Sequence, residues 1–133
     1  MDNKDLFRRI KELNLTLGKY ALFGSAPICI RGWKDLNHDL DVIVWEDIFE
    51  EYKIKPGWEI RRMDHGSEYL WNDELELWKD WKPGIWDIKE LTKNAEIIDG
   101  LPFVRLEHVL KWKKLNGRQK DLKDVEIIEK NIR

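Results

Sequence analysis

Short apolar runs set between turn residues, followed by two long helical stretches, predict an α/β chain (α+β in some schemes). The expected architecture is a short mixed β-sheet flanked by helices, with a C-terminal helical pair. Three observations carry this. Tyr20–Phe23 and Val42–Trp45 are compact apolar runs of strand length. Trp58–Met63, Glu68–Trp71 and Glu74–Trp78 follow in close succession, and in the last of these acids alternate with leucines. Leu106–Asn116 and Arg118–Asn131 have helical character and are broken at Gly117. A length of 133 residues fits one domain spanning 1–133, with a core over about 1–105 and the helical pair over about 106–133.

Taken in order, Leu6, Phe7, Ile10 and Leu13 fall at helical spacing and predict an amphipathic helix over 4–14, ended by Gly18. Tyr20–Phe23 is expected as a buried strand running into the tight turn Gly24-Ser25. Ala26–Trp33 reads as a short helix with Pro27 in its first turn, where proline is accepted. Val42–Trp45 reads as a central strand whose first residues carry acids, and Glu46–Tyr52 as a helix with acids suited to its dipole. Pro56-Gly57 and Pro83-Gly84 mark turns, and Ile85–Thr92 a further short helix. Glu96–Ile98 and Phe103–Arg105 flank Asp99-Gly100, a hairpin signal that Pro102 weakens.

Composition narrows the function. Hydrophobic residues make up 42% and charged residues 38%, which fits a globular chain rather than a disordered one. Lys and Arg number 24 against 26 Asp and Glu, a net charge of −2, so bulk attraction to duplex nucleic acid is not expected. One cysteine, Cys29, excludes disulfides and multi-thiolate zinc sites, and it reads as a small core residue. His38, His65 and His108 lack zinc-hydrolase spacing. No apolar run is long enough to span a bilayer, and the first residues are charged where a signal peptide is apolar; a cytoplasmic protein is expected.

Asp39 and Asp41 are two apart in an expected strand, so both carboxylates project from one face, roughly 7 Å apart at the backbone. Two ionised acids on one face of a central strand call for a reason, and hard oxygen ligands suit Mg²⁺ or Mn²⁺. Spacing alone does not decide this, because about five such pairs would arise by chance in a scrambled chain of this composition. Context adds weight. Gly24-Ser25 lies at a strand end and helix start, where a backbone can approach a phosphate and a hydroxyl can contact it. Glu74 and Glu76 alternate with Leu75 and Leu77, so both glutamates are expected on the face opposite the leucines. A phosphate turn, paired acids and a third acid are the parts of metal-assisted phosphoryl transfer.

Phe23-Gly24-Ser25, a helix, and then His38-Asp39-Leu40-Asp41-Val42 make the chain similar to the nucleotidyltransferase superfamily with the DNA polymerase β-like fold. It most resembles small single-domain members of the lincosamide and aminoglycoside nucleotidyltransferase kind. Leu75-Glu76-Leu77 resembles the strand that carries the third carboxylate there. Gly100–Glu107, with Lys111, Lys114, Gly117-Arg118 and Lys120-Asp121, is similar to that group's short strand, leucine-rich helix and terminal segment. Together these cover most of residues 20–128.

The resemblance implies a nucleotidyltransferase-like fold and transfer of a nucleoside monophosphate from an NTP, with ATP expected, to a hydroxyl acceptor. Pyrophosphate leaves, with Mg²⁺ or Mn²⁺ as cofactor. It implies Gly24 and Ser25 at the nucleotide phosphates, Asp39 and Asp41 as metal ligands and catalytic acids, and Glu76 as third acid and ligand. Glu74 competes for that place, with Asp80 and Asp87 as outside candidates. Ala-Pro-Ile-Cys after Gly24-Ser25 departs from the commoner small-residue run ending in Arg. Lys114 and Arg118 are expected at the nucleotide, while Lys111, Lys113 and Lys120 read as a solvated face. Trp71, Trp78, Trp81 and Trp86 read as core packing and His38 as a structural hydrogen-bonder. The rival class is a non-catalytic antitoxin or regulatory nucleotide-binding module of the same fold, paired with a helical partner protein.

Overall fold

The structure is a computed structural model that describes residues 3–36 and 39–132. Among the described residues, six helices surround a seven-stranded mixed sheet. In chain order the elements are α1 (Asn3–Glu12), β1 (Tyr20–Leu22), α2 (Ala26–Cys29), β2 (Leu40–Val44), α3 (Glu46–Lys53), β3 (Glu59–Arg62) and β4 (Glu68–Asn72). There follow β5 (Leu75–Trp78), α4 (Ile88–Lys93), β6 (Glu96–Ile98), β7 (Leu101–Phe103), α5 (Leu106–Asn116) and α6 (Gln119–Asn131). Across the sheet the order is β3-β4-β5-β2-β1-β7-β6. β2 pairs parallel with β5 and antiparallel with β1, and β1 pairs parallel with β7.

The period-2 alternation of β2 and β5 makes the two faces of the sheet chemically different. Leu40, Val42, Val44, Leu75 and Leu77 point to one side, where they pack with Leu6 and Ile10 of α1 and Phe49 and Tyr52 of α3 in an aliphatic core. Ile43 and Trp78 point to the other side, into a core rich in rings with Phe23, Trp81, Val109 and Trp112 of α5, and Ile128 of α6. The tryptophans expected as core packing divide here: Trp78 and Trp81 are buried, whereas Trp71 and Trp86 are half-buried.

Several boundaries differ from expectation for local reasons. α1 stops at Glu12, because the chain turns left-handed at Asn14 (φ 52°) well before Gly18. α2 is a single turn instead of a helix to Trp33. Arg31 folds back onto the Pro27 carbonyl and pairs with Glu96, which draws the chain toward β6. α4 starts at Ile88 because Asp87 caps it, accepting from the Glu90 amide at 3.2 Å; the indole of Trp86 is bound back to the Pro83 carbonyl at 2.8 Å. β7 covers Leu101–Phe103. Asp99-Gly100 forms a two-residue turn that sets Ile98 opposite Leu101, and Pro102 is accommodated opposite Ile97.

Charge as well as packing holds α5 to α6, and ties α6 to the segment between α2 and β2. Lys113 is 2% exposed, and its ammonium lies 2.8 Å from Asp124 and 3.6 Å from Asp121. Asp124 also takes Lys34 at 2.8 Å. Burial works against the charge on Asp121, yet Arg118 at 2.7 Å and Lys113 bring its carboxyl below the ordinary range. Removing one member of such a group leaves charge uncompensated in a dry place. Lys113→Ala should therefore lower unfolding stability by roughly 3 kcal/mol. Lys113→Met, which keeps the stem, should recover little of it; urea midpoints of the two variants measure this.

Candidate functional site

The parallel register of β2 and β5 places Asp41 directly beside Glu76. Both side chains leave the sheet on the ring-rich face, since their neighbours Leu40, Val42, Leu75 and Leu77 are committed to the aliphatic core. Asp39, one pleat before Asp41, stands exposed at the mouth. The Glu76 carboxyl is within hydrogen-bonding reach of both Asp41 and Asp39. The three acids line a cleft of about 830 Å³ that Gly24, Ser25, Lys113 and Arg118 also line.

Glu74 is not a strand residue. It and Asp73 form the left-handed turn between β4 and β5 (φ 73° and 42°), and its carbonyl accepts from the Leu40 amide at 2.7 Å. The expectation that both glutamates share a face is thus corrected, and Glu76 alone of the two lines the cleft. Asp80 lines it too, accepting from the Ser67 hydroxyl at 3.1 Å, whereas Asp87 serves as a helix cap.

Gly24 is buried and left-handed (φ 58°), and a Cβ placed on it would run into Oδ2 of Asp41. The turn is therefore no exposed loop, and a bulky side chain there would strain the backbone and displace Asp41. Ser25 heads α2, but its hydroxyl makes no capping bond and faces Lys113 Nζ at 3.3 Å. Lys114, expected at the nucleotide, points away from the cleft toward Glu129 at 4.0 Å. Lys113, expected on a solvated face, is the buried cation at Ser25. A helical step of one residue separates the two, and contact with Ser25, Asp121 and Asp124 distinguishes Lys113. Arg118, expected at the nucleotide, lines the cleft, and Lys120 does so as well. The aromatic wall joins core and cleft: Trp81 stacks on Phe23 at 4.6 Å, and Trp78 and Trp112 flank it. His38 lies outside the described residues.

Burial, reinforced by the Asp41 and Asp39 carboxyls beside it, drives Glu76 far above the ordinary carboxylate range. Burial also raises Asp41, against the hydrogen bonds from Glu76 and Trp78 that favour its charge. Among the described residues, no group of three or more His, Cys, Asp or Glu forms a ready-made metal cage. What the site offers is a close set of hard carboxylate oxygens whose mutual repulsion a proton or a cation relieves. No helix among the described residues is long and apolar enough to cross a membrane. A scan against protein-family models and a search of curated proteins return no match for this chain.

An acid whose folded pKa is raised contributes stability that is whole below its unfolded pKa and lost as pH rises through the folded one. For Glu76 that window opens near 4.5 and runs to about 10. Glu76→Gln should therefore be more stable than the parent at pH 7 by about 1–3 kcal/mol, with the advantage fading below about pH 4. Thermal melts in chelator across that range test this, and an equal or less stable variant at neutral pH would contradict the assignment.

Proposed function

We propose that this chain is a metal-dependent nucleotidyltransferase of the DNA polymerase β-like kind, moving a nucleoside monophosphate from an NTP, ATP as the expected donor, to a hydroxyl acceptor. The observation that carries this reading is the meeting of Asp39, Asp41 and Glu76 beside Gly24-Ser25 in one cleft. Such an arrangement costs stability, and a fold keeps it where chemistry uses it. The donor set fits Mg²⁺ or Mn²⁺, which are commonly held by one or two carboxylates with substrate phosphates completing the shell.

In this reading Asp39 and Asp41 would hold the cation, which supplies the positive charge that neutralises the triphosphate and offsets the carboxylate repulsion. The Ser25 hydroxyl and the Lys113 and Arg118 cations receive phosphate oxygens. Glu76, ionised once the repulsion is relieved, takes the proton of the acceptor hydroxyl. The acceptor oxygen forms a bond to the α-phosphorus as the bond to the bridging oxygen breaks, and pyrophosphate leaves with that electron pair.

Glu76→Gln should leave Mg²⁺-ATP affinity within a few-fold by calorimetry while transfer falls by about 10²–10⁴. Glu74→Gln, altering a turn, should leave transfer unchanged. A Glu76→Gln protein that retains full transfer would sink the enzymatic role. Nucleotide binding without transfer in the parent would favour the regulatory module.

A further inference from the structure

We propose that Trp78 is a positioning residue for Asp41, its indole N–H and the bare α-carbon of Gly24 together holding the carboxylate in one orientation. This rests on the assignment of Asp41 as a cation ligand made above. Trp78 stands on β5 two residues after Glu76 and on the same face, and its Nε1 donates to Asp41 Oδ1 at 3.3 Å. The other oxygen, Oδ2, occupies the space that a side chain on Gly24 would take. One oxygen is thus tethered and the other confined.

The indole is itself immobilised. Tyr69, its partner across the β4–β5 ladder, stacks on it with centroids 4.4 Å apart and planes 17° from parallel. Trp81 meets it edge-on at 5.7 Å and 80°. Packing alone does not account for where these N–H groups go: the Trp81 Nε1 is buried with no hydrogen-bond partner, and Trp86 and Trp112 donate to the backbone carbonyls of Pro83 and Lys82. Trp78 directs its donor to an acid of the cleft. An indole is a donor only, so it cannot exchange a proton with that acid as a base would. Its contribution is orientation, which spares a ligand the entropy of being frozen on binding.

Partners of this kind behind a metal-binding carboxylate typically contribute about 10–100-fold in affinity. In Trp78→Phe, which keeps a ring for Tyr69 but has no donor, the Mn²⁺ dissociation constant measured by electron paramagnetic resonance should rise about tenfold or more. Trp58→Phe, altering a ring that packs on Tyr52 by the aliphatic core, should leave it unchanged. The hydrogen bond has its own readout in the intact chain. The Trp78 indole resonance, one of eight, should move upfield and exchange faster with solvent in Asp41→Ala. Unchanged Mn²⁺ affinity in a folded Trp78→Phe, or a Trp78 resonance indifferent to Asp41→Ala, would overturn the proposal. A parent protein that binds no Mn²⁺ would instead refute the nucleotidyltransferase reading, while the resonance would still decide whether Trp78 holds Asp41.

Discussion

The parallel pairing of β2 with β5 is the constraint from which the site follows. A one-residue slip of either strand would turn its apolar residues toward the cleft and its acids into the aliphatic core. Because Leu40, Val42, Leu75 and Leu77 are almost fully buried, such a slip is prohibitively costly. The energy of leucine and valine burial on one side of the sheet thus holds Asp41 and Glu76 together on the other, against their mutual repulsion. The acids contribute nothing to this register; they are carried by it.

The ring-rich face bears the burden of that arrangement. Its rings supply large buried area in a region that must also leave room for a cleft. Its cations come mostly from the C-terminal pair, where Lys113 is flanked by Asp121 and Asp124 and reaches Ser25. α5 and α6 are therefore both a cover for the core and a wall of the site, and a change in their seating would alter the charge that faces the carboxylates.

Much of this was legible in the residues themselves. Strict alternation in Leu-Glu-Leu and Asp-Leu-Asp announced which side chains share a face, because period-2 geometry leaves little choice once the leucines are buried. The turn at Asp99-Gly100 was signalled too, although Pro102, which seemed to weaken it, lies inside the strand that follows. What could not be read was whatever depended on contact between distant segments. Lys113 and Lys114 are adjacent lysines, and the strand Glu74 was expected to join ends one residue short of it, at Leu75. Nothing local separates the buried cation from the solvated one, or the turn acid from the strand acid. Helix α2 looked longer than it is because the Arg31 contacts with Pro27 and Glu96 are invisible to periodicity. The resemblance to nucleotidyltransferases pointed to the same cluster as the alternation did, but it favoured Lys114 over Lys113.

The hydrogen bond between Ser25 and Lys113 spans 88 positions of the chain, and the ion pair of Lys34 with Asp124 spans 90. Asp41 and Glu76 belong to strands joined through a helix and a hairpin. As the polypeptide is synthesised, Asp39 and Asp41 emerge long before Glu76, and Glu76 long before Lys113. Closing such distant contacts is the slow part of folding a sheet of this kind. The cleft is consequently assembled from distant pieces: a growing chain carries its acids as separate charges until β5 pairs with β2, and the cation at Ser25 joins them only once α5 is in place.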